Sequence, residues 1–185
     1  VPSAAGIEGF DEVILACHSD QALALLADAD PVEHAVLGAI RYQANEAVLH
    51  TDASLLPRNR KAWAAWNAHV PADPGAPCTV SYCMNLLQGL PGDTPLVVTL
   101  NRSDAIDPSK VLRRLHYAHP VHDHAAVRAQ QRWGEIQGHR HTWFAGAYWG
   151  WGFHEDGIAS ARRTVDALRS RTGIASPLRP TEITA

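Results

Sequence analysis

The stretch 142-TWFAGAYWGWGFHEDGIASARRTVDAL-168 says most about the fold of this chain. Residues 142–147 are short, aromatic and apolar, which predicts a strand. Residues 148–152 read as a loop of glycines and aromatics, and 155–169 as a helix with the apolar stripe Ile158, Ala161, Val165 and Leu168. A strand that runs through a glycine loop into a helix start leaves backbone N–H groups at a crevice, a setting suited to a phosphate or an electron-rich ring edge. Glycine permits close approach of a ligand to the backbone, and the helix N-terminus adds partial positive charge without a titrating group. Such junctions also occur in α/β proteins that bind nothing there.

Upstream, the apolar run 11–17 predicts a buried strand, with Ser19 as N-cap of a helix over 20–27. Asp30-Pro31-Val32-Glu33 is a capping box with proline at N1, ahead of Val36, Leu37 and Ile40. The middle of the chain alternates apolar and polar residues between Pro/Gly clusters, the pattern of antiparallel strands and hairpins. There, 79–87 predicts one strand with Val80, Tyr82, Met84 and Leu86 on one face and Ser81, Cys83 and Asn85 on the other, followed by a turn at 90–93 and a strand over 96–101. Residues 111–117 predict a further strand. Asp123 caps a helix with stripe Ala126, Ala129, Trp133 and Ile136, closed by Gly138. Trp63 and Trp66 share a face only in a helix, which the alanines between them favour.

The net charge of −3 arises from 16 basic and 19 acidic residues without a basic stripe, which argues against nucleic-acid binding. No apolar run reaches the roughly 18 to 20 residues of a membrane span; peripheral membrane contact is compatible with the composition. Three cysteines, Cys17, Cys78 and Cys83, form an odd and sparse set that suggests thiols in a reducing compartment, and the expected location is the cytoplasm. The chain opens on Val1 and reads as an internal fragment or truncated product.

Residues 143–168 resemble the C-terminal flavin-binding segment of the flavin amine oxidase superfamily, in which a strand ending in (A/C)G leads into a helix beneath the isoalloxazine. In the same order, FDEVILACHSDQALALL (10–26), RYQANEAVLHTDASLLPRNRKAWAAWN (41–67), VSYCMNLLQGL (80–90), VVTLN (97–101) and HYAHPVH (116–122) resemble a bacterial branch of predicted NAD/FAD-binding, amine-oxidase-like proteins. The resemblance implies an α/β (α+β) fold: the C-terminal portion of a two-domain flavoprotein, with an antiparallel or mixed substrate-domain sheet (41–120) inserted between parts of a Rossmann-like FAD-binding domain (1–40 and 121–169), and a flexible tail at 170–185. It also places 62–67 in a strand, against the local helix preference.

The same resemblance implies an FAD-dependent oxidoreductase with noncovalent FAD, removing hydride from a C–N or C–C bond of a small or lipid-like substrate. Gly146 and Ala147 would approach the ribityl-pyrophosphate. Gly152, Phe153, His154, Glu155 and Asp156 would lie along the pyrimidine edge, and Trp151 and Phe153 would stand on the substrate side. For Glu155 and Asp156 the simpler expectation is a carboxylate complementing the helix dipole, and for the two aromatics it is core packing. The sequence reads AGAY where amine oxidases usually carry AGTE or AGD, and the family's strand-GxGxxG-helix lies outside these 185 residues. That segment is the expected partner, and without it the chain could be a remnant that binds no FAD by itself. No catalytic base is identified: Lys61 and Lys110, the two lysines, match no flavin-proximal position. His116, His119, His122 and His124, and His139 with His141, lack an HExxH-type spacing, so no metal site is expected.

Overall fold

The computed structural model describes residues 2–3, 6–72 and 79–173. Cys78 and the greater part of the predicted tail at 170–185 lie outside the described residues. In chain order the strands are β1 (Pro2–Ser3), β2 (Gly6–Ile7), β3 (Val13–Leu15), β4 (Tyr42–His50), β5 (Trp66–His69), β6 (Thr79–Cys83), β7 (Val97–Leu100), β8 (Val111–Pro120) and β9 (Thr142–Phe144). The helices are α1 (Ser19–Leu25), α2 (Pro31–Leu37), α3 (Met84–Gln88), α4 (His124–Gln131), α5 (Trp133–Ile136) and α6 (His154–Thr172), with 3-10 turns between some of them. The fold is mixed α/β with an antiparallel five-stranded sheet. The chain forms two compact units, one from the described parts of 1–42 and 120–185, the other from 43–119.

In the first unit β3 and β9 pair in parallel, Val13 with Thr142, Ile14 with Trp143 and Leu15 with Phe144. Helices α1, α2, α4 and α5 bury Ala22, Val36, Leu37, Ala126, Ala129 and Ile136 around Phe144 and Tyr148. Local signals decide the helix starts. Asp30 accepts hydrogen bonds from the N–H groups of Val32 and Glu33, both at 2.8 Å, while Glu33 accepts from Asp30 N–H at 2.9 Å, the predicted capping box. Asp123 caps α4 through Ala126 N–H. The predicted helix beyond Asp123 breaks at Arg132 into α4 and α5, yet all four stripe residues are buried. Helix α1 starts one residue earlier than expected, because His18 takes the N-cap and its N–H donates to the Gln21 side chain.

In the second unit the strand order is β5-β6-β7-β4-β8. Trp66, Tyr82, Val98 and Leu49 align across four strands on one face, and Cys83, Val97 and His50 align on the other. The strand predicted over 79–87 stops at Cys83. Its second half is helix α3, ended by Gly89 at φ 63°, and Asn85 pins the bend by accepting from Leu96 N–H at 2.7 Å. Trp63 follows a 3-10 turn rather than lying in a strand, so of 62–67 only Trp66 and Asn67 belong to β5. Strand β8 runs to Pro120, three residues beyond the predicted end.

The buried face of this sheet carries Thr79, Ser81, Thr99 and His50. Their polar atoms satisfy one another: His50 Nε2 lies 2.8 Å from Thr99 Oγ1, which lies 2.8 Å from Ser81 Oγ. Because Asp52 N–H donates to His50 Nδ1, the ring is neutral with its proton on Nε2, donated to Thr99. Burial pushes the His50 pKa below the ordinary value near 6.5, against the opposing pull of Asp52. Burial of Asp52 opposes its ionisation, but hydrogen bonds from Asp107, Ser54 and Lys110 outweigh this and hold its carboxyl well below the usual range. Both groups therefore favour the deprotonated form on folding. The His50 contribution is fully present above about pH 6.5 and is lost as pH falls toward its lowered folded value. Opening free energies from amide exchange at Val97 and Thr99 should fall between pH 7.5 and 5.5, and His50→Gln should flatten that dependence; an equal slope in the variant would refute the assignment.

Candidate functional site

Strand β9 ends at Phe144, three residues sooner than predicted, because a 3-10 turn over Ala147–Trp149 takes the chain off the sheet. Gly150 and Gly152 then lead into α6. Two side chains hold this loop: Gln130 donates from Nε2 to the carbonyls of Tyr148 at 3.0 Å and Gly150 at 2.7 Å. Asp156 reaches back from the first turn of α6 and accepts from the N–H groups of Trp151 at 3.1 Å and Phe153 at 2.9 Å. The N–H groups of His154 and Glu155, in the first helical turn, have no carbonyl within the helix to bond.

Each glycine of the loop has a local cause. A Cβ on Gly146 would lie 2.3 Å from Cε1 of Tyr148, and one on Gly150 would lie 2.4 Å from Oδ1 of Asp156. Gly152 has φ 93°, which side chains rarely adopt, and open space around it apart from His122 Nε2 at 3.9 Å. The N–H of Gly146 already donates to Ser160 Oγ at 3.0 Å. Of the predicted site residues, Gly152, Phe153, His154 and Glu155 thus gather at an exposed helix start, with Asp156 half-buried beneath them. Gly146 and Ala147 lie deeper, against Tyr148 and Gly157. Trp151 and Phe153 are each 63% exposed, and the Trp151 ring stands 5.4 Å from that of His122. They form an open aromatic edge at the helix start.

The stripe predicted for α6 is only partly covered: Ile158 is 56% exposed and Ala161 is exposed, Val165 and Leu168 are half-buried, whereas Ser160 and Thr164 are buried. Thr164 donates to the Phe144 carbonyl at 3.2 Å, and that carbonyl also accepts from Trp149 Nε1 and Gln137 Nε2. Ser160 and Thr164 therefore join Gln130 and Asp156 in holding the strand-loop-helix junction. A count of apolar periodicity overlooks them; the signal was a Ser/Thr pair four apart on one helix face. Tyr148 is buried with its hydroxyl unpartnered, and burial pushes its pKa upward.

The cavity at the helix start, lined by Trp133, Trp149, Asp156 and Arg163 among others, measures about 140 Å³, below the few hundred of a cofactor pocket. Larger cavities of about 480 and 670 Å³ flank Arg60 and Trp63 in the second unit, and no predicted site residue lines them. His116 and His119 lie on β8, where His119 Nδ1 meets Asn45 Nδ2 at 2.8 Å, while His122 and His124 stand at the start of α4. No helix among the described residues is long and apolar enough to cross a membrane.

No family model matches this chain, and no curated protein does. Among solved structures, the chain is similar to a candidate protoporphyrinogen oxidase from Exiguobacterium sp. 255-15, with a TM-score of 0.59 and 13% identity over 91% of this chain. The match spans 43% of that longer protein, and at this identity it shows a shared fold.

Proposed function

We propose that this chain is part of an FAD-dependent oxidoreductase of the amine oxidase kind, and that the start of α6 takes the isoalloxazine edge of a noncovalently bound flavin. The observation that carries this reading is the open helix start, with Gly152 in a left-handed turn between exposed Trp151 and Phe153. The residues fit a flat ring with an electron-rich carbonyl edge. The first-turn N–H groups of His154 and Glu155 would donate to its pyrimidine edge, and Phe153 and Trp151 would stand beside its face. Asp156 would keep the turn in shape through the bonds it already makes. Gly146, whose N–H is engaged by Ser160, and Ala147 would shape the strand exit toward the ribityl-pyrophosphate. No cysteine lies in 142–168, consistent with a noncovalent cofactor.

Bound FAD would accept hydride from a C–N or C–C bond, and the protein would orient the donor carbon and exclude water. A small or lipid-like molecule would be the hydride donor. The phosphates would be held by a strand-GxGxxG-helix segment supplied by sequence beyond this chain. A cytoplasmic enzyme with peripheral membrane contact is consistent with this reading. A second reading, a remnant that binds no FAD by itself, is favoured by the engaged N–H of Gly146 and by the small cavity at the helix start.

Flavin fluorescence titration separates the two. Phe153→Ala removes an exposed ring, so it should leave folding unchanged and weaken FAD binding by about tenfold, the scale of roughly 1.4 kcal/mol of ring contact. Unchanged affinity would refute the placement, and no affinity in either protein would favour the remnant.

A further inference from the structure

Away from the helix start, Asp30, Glu33 and His139 each offer one ligand atom, and these atoms lie within 4.8 Å of one another. Helix capping explains only part of this group. Asp30 Oδ1 accepts from Val32 and Glu33 N–H, and Glu33 Oε2 accepts from Asp30 N–H and from Arg140. Two carboxylate oxygens are left over. Asp30 Oδ2 faces His139 Nδ1 at 3.0 Å. Glu33 Oε1 is buried without a hydrogen-bond partner, on a residue only 1% exposed. Burying an unpaired carboxylate oxygen is costly, so this atom calls for a partner.

We propose that Asp30, Glu33 and His139 form a binding site for a divalent transition metal ion of the zinc or manganese class. Two carboxylate oxygens and an imidazole nitrogen are the donor set these ions favour. Two ligands about 2.1 Å from one metal lie about 3.0 Å apart at the right angles of an octahedral ion and about 3.4 Å apart at zinc's tetrahedral angle, so the Asp30–His139 separation of 3.0 Å needs at most a few tenths of an ångström of opening. A metal would replace the direct contact between these two side chains, with His139 as a ligand through Nδ1. A shift of the Glu33 side chain would bring in the third ligand, and water would complete the shell, since the His139 side chain is 53% exposed.

Charge is compatible with a dication. Three carboxylates, Asp28, Asp30 and Glu33, stand around one guanidinium, Arg140, which pairs with Asp28 and with Glu33 Oε2. The partial positive end of the short helix α2 opposes a cation, but it carries at most about half a charge against two full carboxylates. Gly138, at φ 71°, turns the chain so that His139 is presented toward the start of α2. A bound ion would tie the 138–141 turn to that helix. The site shares no residue with the proposed flavin edge and does not depend on it.

The test is calorimetric titration of the full chain with Zn²⁺ and Mn²⁺ at pH 7.5, with thermal melting in parallel. One equivalent should bind and raise the melting temperature, as any ligand of the folded state does. His139→Ala and Asp30→Asn should each weaken binding by about tenfold or more; asparagine keeps the Oδ1 cap, so Asp30→Asn should still fold. His122→Ala and His141→Ala serve as controls and should leave binding unchanged. Absence of binding would overturn the proposal. So would binding that survives His139→Ala and Asp30→Asn, or that is lost in the two controls.

Discussion

Replacing Phe144 with alanine should lower the stability of the first unit by about 4 kcal/mol, the cost of emptying a fully buried aromatic site. Phe144 is 0% exposed and sits among Leu37, Ile136, Ala126 and Tyr148, which come from separate elements and cannot all move inward to fill the gap. Its backbone multiplies the effect, because its carbonyl accepts from Gln137, Trp149 and Thr164. Losing the ring loosens the point at which α5, the loop and α6 are joined. Urea unfolding followed by amide exchange in β3 and β9 gives the number. A loss under about 1.5 kcal/mol would mean that Phe144 does not centre this core.

The second large effect is expected at Gly146, where alanine should cost about 2 to 3 kcal/mol by overpacking. Gly146 has φ 162° and ψ 158°, extended backbone open to any residue, so the penalty arises only from contact. The new methyl would fall 2.3 Å from one ring carbon of Tyr148 and 2.6 Å from another. That ring is 4% exposed and belongs to the core, so it cannot swing aside. A double-mutant cycle isolates the contact: in a Tyr148→Ala background, Gly146→Ala should cost much less, a coupling of about 1 to 3 kcal/mol. Equal cost in both backgrounds would assign the glycine another role.

How far the sequence announced these features depends on how local each one is. The caps at Asp30 and Asp123 were legible because each side chain and the N–H groups that donate to it lie within three residues of each other. The strands over 11–17, 96–101 and 111–117 appear because short apolar or β-branched runs between turns have few other solutions. What the sequence hid was which face is covered. In α6 the apolar residue Ile158 stays open while Ser160 and Thr164 go inside, because their hydroxyls meet Gly146 N–H and the Phe144 carbonyl, partners far away in the chain. The same inversion occurs in the second unit, where Ser81, Thr99 and His50 are buried as one hydrogen-bonded chain. Apolar periodicity cannot detect a polar face that satisfies itself.

The break at Cys83 shows a different limit. Met84, Asn85 and Leu86 continue the strand alternation, and bonds to residues about ten further on turn the chain into α3: Leu96 N–H donates to Asn85, Asn85 Nδ2 donates to the Thr94 carbonyl, and Met84 N–H donates to the Leu96 carbonyl. Gly89, at the C-cap with positive φ, was the local clue. At the candidate site the glycines were conspicuous, but their causes were not. Gly146 and Gly150 answer to Tyr148 and Asp156 inside the protein, which leaves Gly152 as the glycine whose surroundings are open to a ligand.

The most direct test of the flavin reading is the flavin content of the protein purified from its complete reading frame, read by absorbance near 450 nm and by release of the chromophore on acid precipitation. About one FAD per chain is expected, released without covalent attachment, with a several-fold loss of FAD in Phe153→Ala and folding intact. A colourless protein that gains no 450 nm band on incubation with FAD, or FAD content that Phe153→Ala leaves unchanged, would contradict the flavin reading.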